Sequence, residues 1–133
     1  MISEVSGTVI EGTDGDDVLD GTDDDNTINS GNGNDLNKGG DGNDTIKSED
    51  GDDINSGEEG DDVIKSEDGN DQINGGLEDG VIKNGKGDDS NSGGPSHGND
   101  KINAGQGDDY LFGGDGADMF KCCGRYDIVS GFE

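Results

Sequence analysis

Aspartate is the residue whose spacing suggests chemistry in this sequence of 133 residues. Divided every nine residues from Gly12, with a two-residue insertion at Pro95-Ser96, the chain gives thirteen units whose sixth residue is nearly always Asp. A longer period lies above this one, because residues 48–65 match residues 66–83 better than neighbouring units match each other. We therefore expect a structural repeat of 18 residues, in which the aspartates of alternate units form two separate rows.

The two rows of sixth-position residues are almost complete. In the odd-numbered units the residue is Asp17, Asp35, Asp53, Asp71, Asp89, Asp109 or Asp127. In the even-numbered units it is Asp44, Asp62, Asp100 or Asp118, with Asn26 and Gly80 as the exceptions. Carboxylates stacked about 5 Å apart in a poorly hydrated groove repel each other strongly. We therefore expect a cation between successive repeats.

Calcium is the cation that suits such rows best. It accepts an irregular shell of roughly six to eight carboxylate and carbonyl oxygens, whereas magnesium requires stricter geometry and keeps its waters. Zinc prefers His and Cys ligands, and the chain has a single histidine, His97. The sequence therefore predicts calcium ions bound between the turns.

Each unit divides into a turn and a short strand, and these elements must position the aspartates. The first six residues are rich in Gly, Asp and Asn, which tolerate positive φ and form tight turns. The last three residues alternate polar, apolar, polar, as in Thr45-Ile46-Lys47, which is typical of a strand with one buried face. The sequence predicts an all-β fold, a right-handed parallel β-roll of 18-residue coils with calcium between its turns. About six coils of this kind would form a rod roughly 30 Å long.

The eighth position of each unit predicts a thin core with one uncertain side. In even units it is always apolar: Ile28, Ile46, Ile64, Ile82, Ile102 and Phe120. In odd units it is Leu19, Asn37, Asn55, Ile73, Asn91, Leu111 and Val129, and Leu36 and Ile54 stand one place before two of the asparagines. Either these strands shift by one residue, which would exchange their faces, or a ladder of Asn side chains lies inside the roll.

Composition excludes several classes of function. The net charge of −26 disfavours nucleic acid and anionic membranes as partners, because phosphate would be repelled. No segment has the roughly 20 apolar residues that span a bilayer, and the first fifteen residues show no secretory signal. The lone His97 and the lack of a catalytic triad or HExxH motif argue against an enzyme.

The units resemble the RTX, or hemolysin-type, calcium-binding nonapeptide repeats, most clearly GGDGNDTIK at 39–47 and GGDGADMFK at 113–121. The resemblance implies that the sixth-position aspartates named above ligate calcium together with turn carbonyls. The carbonyls are expected from the turn glycines Gly33, Gly42, Gly51, Gly60, Gly69, Gly87, Gly98, Gly107 and Gly116. About eight strong sites are expected. Weak or vacant intervals are expected at Asn26/Asp44, Asp62/Gly80 and Gly80/Asp100, and strained turns at Ser48-Glu49 and Gly57-Glu58.

The resemblance also implies a role for the chain. We expect a terminal cap strand at 1–11, the repeat roll at 12–129 and a closing segment at 130–133. The expected function is a calcium-binding module that folds on binding calcium and serves a secreted bacterial protein exported by type I secretion. Two alternatives stay open, namely the C-terminal accessory domain of a larger secreted enzyme or adhesin, and an acidic disordered calcium buffer. An attached catalytic or adhesive domain and end-to-end self-association of the roll are further hypotheses about partners.

Overall fold

A computed structural model describes residues 7–131, so residues 1–6 of the expected cap strand and the last two residues lie outside the described part. The described residues form only strands and turns. In chain order the strands are β1 Val9–Glu11, β2 Val18–Asp20, β3 Thr27–Gly31, β4 Leu36–Asp41, β5 Thr45–Ser48, β6 Ile54–Glu59, β7 Val63–Lys65, β8 Gln72–Asn74, β9 Val81–Lys83, β10 Ser90–Ser92, β11 Lys101–Asn103, β12 Tyr110–Phe112, β13 Met119–Lys121 and β14 Ile128–Ser130. None of residues 7–131 belongs to a helix long and apolar enough to cross a membrane.

The strands build two seven-stranded parallel sheets. One sheet has the order β1-β3-β5-β7-β9-β11-β13, and the other has the order β14-β12-β10-β8-β6-β4-β2. Each coil of the chain contributes one strand to each sheet, and Ile64 pairs with Ile82 eighteen residues later. The predicted parallel β-roll is thereby confirmed. Each sheet has one strand more than six coils supply. In one sheet the extra strand is β1, which precedes the first nonapeptide unit and pairs with β3, and in the other it is β14 of the thirteenth unit, which pairs with β12.

The even-unit column of isoleucines forms the apolar core between the sheets. Ile28, Ile46 and Ile64 are fully buried, and Ile82 and Ile102 are 1% exposed. Ile73 and Leu111 contribute to the buried cluster from the other sheet, and Ala104 completes it. Because burying one such side chain contributes about 1.5–3 kcal/mol, this column is the main hydrophobic contribution to the stability of the roll.

A ladder of Asn side chains lies inside the roll, so the strands have not shifted by one residue. Asn37, Asn55 and Asn91 are buried, while Ile54 is 47% exposed. Asn37 is paired with Asn55 in the sheet, and the Asn37 Nδ2 donates to Asn55 Oδ1 at 2.8 Å. The sheet register therefore follows the repeat period rather than the position of the nearest large apolar residue.

The surroundings of the buried amides differ from coil to coil. Asn55 Nδ2 donates to the hydroxyls of Ser48 and Ser66, at 3.0 and 2.9 Å. In Asn91 neither the amide nitrogen nor the amide oxygen has a hydrogen-bond partner, although both atoms are buried. The residues that correspond to the two serines are Asn84 and Ala104, and the Ala104 methyl group offers no acceptor. Asn91 is thus a polar group enclosed in the core without compensation.

Candidate metal centre

The sixth-position residues meet in two rows, as predicted, because each carboxylate is held by the coil before it. Asp71 Oδ1 accepts a hydrogen bond from the Asp53 backbone N–H at 3.0 Å, and Asp53 Oδ1 accepts one from the Asp35 N–H at 2.9 Å. The same bond, from the backbone N–H of the preceding residue in the row, recurs at the other intervals of the odd row and holds Asp35, Asp89, Asp109 and Asp127. On the even row it holds Asp44, Asp62, Asp100 and Asp118. One oxygen of each carboxylate is therefore committed to the backbone.

The second oxygen of most of these carboxylates is buried and has no hydrogen-bond partner. Among the described residues this holds for the Oδ2 atoms of Asp35, Asp44, Asp53, Asp62, Asp71, Asp89 and Asp109. A buried carboxylate oxygen without a donor is costly, and proteins compensate such charges with a counter-charge or a metal. The unpartnered Oδ2 atoms are the strongest structural sign of a cation-binding site.

Burial also shifts the acidity of these groups. Loss of solvation raises the pKa of Asp71 from 3.8 to about 7, with the charges of Asp89 and Asp53 adding to the shift against the opposing Asp53 N–H bond. Burial likewise raises the pKa of Asp62 to about 7, again reinforced by a neighbour in its row, Asp44. The pKa values of Asp44, Asp53, Asp89, Asp100 and Asp109 are raised for the same leading reason, burial. Burial therefore makes these carboxyl groups harder to ionise than an exposed aspartate.

Main-chain carbonyl oxygens face the free carboxylate oxygens on the even edge. A methyl group on Gly39 would overlap Asp44 Oδ2 and would lie 2.7 Å from the Gly57 carbonyl oxygen. A methyl group on Gly93 would likewise overlap Asp100 Oδ2 and lie 2.6 Å from the next coil's carbonyl, that of Gly113. A carboxylate oxygen and a carbonyl oxygen thus converge with no hydrogen between them. This arrangement suits a hard cation.

The first-position glycines and their carbonyls were missed by the sequence prediction, which assigned carbonyl ligands to fourth-position glycines. A signal was present, because Gly occupies the first position of every even unit. The fourth-position glycines that the sequence predicted as ligands have a visible role in the shape of the turns. All of them except Gly98 have positive φ: Gly33, Gly42, Gly51, Gly60, Gly69, Gly87, Gly107 and Gly116. Their role as ligands stays a prediction.

The carboxylates near the two ends of the roll have different surroundings. Asp17 is less buried, and its Oδ2 accepts bonds from the Thr13 backbone N–H and hydroxyl, at 2.6 and 2.9 Å. Asp127 Oδ2 accepts a bond from the Gly124 N–H at 3.2 Å. Asp118 is also half-buried. These carboxylates need a cation less than those in the middle of the rows.

A second side-chain ladder, which the sequence analysis did not identify, runs along the exposed fifth positions. Asp52 Oδ1 accepts a hydrogen bond from the Asn70 N–H of the following coil at 2.9 Å, and Asp88 Oδ1 accepts one from the Asp108 N–H at 2.9 Å. The direction is opposite to that of the sixth-position ladder. The signal was available, since Asp or Asn occupies the fifth position in eleven of thirteen units. These exposed residues act in coil stacking and leave no buried oxygen free.

Side chains alone do not complete a metal shell in this roll. Within the described residues, no three His, Cys, Asp or Glu side chains come close enough to hold a metal ion. An ion between coils would therefore need main-chain carbonyls as well as the sixth-position carboxylates. The turns provide such oxygens, as the geometry around Gly39 and Gly93 shows.

Comparison with known families agrees with this geometry. The family model of the RTX calcium-binding nonapeptide repeat matches the chain in four copies, over residues 7–36, 38–54, 56–82 and 97–120. These matches cover well over half of the sequence and include every carboxylate of the two rows except Asp89 and Asp127. Searches of curated proteins and of solved structures each found no match.

Proposed function

The chain belongs to the RTX calcium-binding nonapeptide repeat family, and on that premise we propose that calcium ions between the coils drive its folding into the β-roll. The observation that carries the proposal is the set of buried Oδ2 atoms without partners. Repulsion between these carboxylates opposes the roll in the absence of a cation. A bound ion would replace the missing donors and neutralise the row.

The proposed ligands are the sixth-position carboxylates together with carbonyls of the turns. Intact pairs of carboxylates follow one another along the odd row, and Asp44/Asp62 and Asp100/Asp118 are the intact pairs of the even row. About eight sites follow if each pair holds one ion. Calcium would supply positive charge at the free oxygens, and the chain's own contribution is to orient one oxygen per carboxylate by a backbone hydrogen bond.

Linkage converts this binding into folding free energy. An ion that binds only the folded form stabilises it by about 2.7 kcal/mol per site at a hundredfold excess over the dissociation constant. Several such sites together offset the conformational entropy lost by a chain with so thin a core. The roll would then be ordered where calcium is abundant and unfolded where calcium is scarce.

This switch suits a module that is exported before it folds. RTX repeats are typical of secreted bacterial proteins, and we propose the same location here. The family match is to a calcium-binding repeat and indicates no catalytic family. We therefore propose a structural or accessory role, either in a secreted bacterial protein generally or beside a catalytic or adhesive domain of one.

The test is a far-UV circular dichroism titration with calcium, starting from chelated protein, with magnesium as the control ion. We expect a cooperative change from coil to β signal at millimolar calcium or below, and none with magnesium. D89A should raise the calcium midpoint strongly, whereas D88A should raise it much less, because Asp88 loses only an exposed bond to the Asp108 N–H and no buried carboxylate oxygen. A coil spectrum at saturating calcium, or gradual binding without a β signal, would identify a disordered buffer and overturn the proposal.

A further inference from the structure

Asn26 occupies the place of a sixth-position carboxylate on the even edge, and its side chain is only 3% exposed. Its backbone N–H donates to Asp44 Oδ1 at 2.6 Å, as the backbone of an aspartate does elsewhere in the row. Its side-chain Oδ1 accepts the Thr22 hydroxyl at 3.1 Å. The amide is thus fixed in orientation by a donor on its oxygen side.

The amide nitrogen of Asn26 faces oxygens from two coils. It donates to Asp44 Oδ1 at 3.2 Å and to the Gly39 carbonyl at 3.4 Å, both in the following coil. Within its own turn it donates to the Thr22 carbonyl at 3.4 Å and makes a short bond to the Asp24 carbonyl. If the amide were rotated by half a turn, its oxygen would face these acceptor oxygens without a hydrogen between them, so the nitrogen must lie on this side.

The nitrogen also coincides with the position of a free carboxylate oxygen in the next interval. A methyl group on Gly21 would lie 3.0 Å from Asn26 Nδ2 and would overlap the Gly39 carbonyl oxygen. The corresponding methyl group on Gly39 would overlap Asp44 Oδ2 and approach the Gly57 carbonyl. An N–H donor therefore stands at Asn26 where an unpartnered oxygen stands at Asp44.

We propose that the Asn26 amide takes the place of a calcium ion between its own turn and the turn of Asp44. The two amide hydrogens are shared among oxygens of both turns, including the Gly39 carbonyl that would face a cation, and the interval carries one negative charge fewer. This interval is closed to calcium and stays cross-linked without it. The inference rests on the proposed calcium-dependent function, and it sharpens the expectation of a weak site at Asn26/Asp44 into a site replaced by hydrogen bonds.

The test is the number of calcium ions bound at saturation, measured by equilibrium dialysis with elemental analysis, for the wild-type chain, N26D and N43D. We expect N26D to bind one ion more than the wild type, because it restores a free carboxylate oxygen to the interval. N43D adds the same charge on the same edge, at an exposed residue whose Oδ1 accepts the Asp61 N–H, and should bind the wild-type number.

Two results separate this inference from the proposed function. If the wild type binds calcium and N26D binds no additional ion, the inference is wrong while the proposed function stands. If the wild type binds none, the proposed function fails, and the inference fails with it. N26A provides a second measurement that needs no new site, and it should keep the wild-type ion number while requiring more calcium to fold. Loss of an ion in N26A would show that Asn26 is itself a ligand and would overturn the inference.

Discussion

Replacing Asp71 with asparagine should have opposite effects on stability with and without calcium. Asp71 Oδ1 accepts the Asp53 N–H at 3.0 Å, and an asparagine oxygen can keep that bond. Asp71 Oδ2 is buried without a partner, and the new amide nitrogen would stand there as a donor, as the nitrogen of Asn26 does. D71N therefore removes a buried charge from the chelated roll and removes a calcium ligand from the loaded one.

The size of the effect in the chelated protein follows from the acidity of Asp71. A pKa raised from 3.8 to about 7, chiefly by burial, corresponds to an upper limit of about 4 kcal/mol above pH 7. Relaxation of the turns and entry of water on ionisation reduce this limit, so we expect about 2 kcal/mol of stabilisation for D71N. In calcium we expect a loss of about 3 kcal/mol, the contribution of one well-occupied site.

The chelated measurement uses the osmolyte trimethylamine N-oxide to induce folding, followed by far-UV circular dichroism, and the calcium measurement uses urea unfolding. Chelated D71N should fold at a lower osmolyte concentration than the chelated wild type, and calcium-loaded D71N should unfold at a lower urea concentration than the calcium-loaded wild type. D52N is the matched control, because Asp52 is an exposed fifth-position residue whose Oδ1 accepts the Asn70 N–H. The reasoning is refuted if D71N moves both midpoints toward the same state, or if D52N shows the same reversal.

Three further predictions concern pH, the core and one turn. The pKa values of Asp62 and Asp71 are raised in the fold, so the chelated roll holds protons that the unfolded chain releases. The stability of the chelated roll is therefore greatest below about pH 4 and falls as the pH rises through about 7. A chelated sample should therefore gain β signal on acidification, and an unchanged spectrum would count against the buried rows. N91L should raise the free energy of unfolding in calcium by about 1–3 kcal/mol, because it removes an unpartnered buried amide. N55L should instead lower the free energy of unfolding, because it breaks the bonds to Ser48 and Ser66. Equal shifts for the two variants would contradict this prediction. E58G should stabilise the roll by about 1 kcal/mol in urea unfolding, because Glu58 alone among the described non-glycine residues has a positive φ, 79°. E58Q keeps the strained backbone and should give no comparable gain.

The repeat period allowed the fold to be predicted from sequence with little help from hydrophobicity. A phased 18-residue unit requires one coil per repeat, and the unbroken even-unit isoleucines indicate which residue of each strand points inward. Ile46 and Ile64 are fully buried in that column, as expected. The sixth-position aspartates were predictable for the same reason, since residues in one phase of a solenoid must stack.

The odd-unit strands could not be predicted, because two physical preferences conflict there. Leu36 and Ile54 favour a one-residue shift, while the turn residues on both sides fix the strand where the period places it. The structure adopts the second solution, with Asn37 donating to Asn55 Oδ1 and to the Ser30 hydroxyl. Sequence alone does not reveal that a serine lies beside each of these two amides, and that neighbour makes their burial tolerable.

The two polar ladders explain why the turns, rather than the core, determine the register of the roll. At most intervals a sixth-position carboxylate accepts from the coil before it, as Asp89 does from Asp71, and a fifth-position side chain accepts from the coil after it, as Asp88 does from Asp108. A shift by one residue would break these bonds in the intervals that it crosses, a cost that burying one half-buried Leu or one exposed Ile does not outweigh. The ladders also divide the carboxylate's two oxygens, because Oδ1 is held by the backbone and only Oδ2 is left for an ion. Calcium would therefore act on a geometry that neutral N–H donors have already aligned, so ion binding would change the stability of the roll without changing its register.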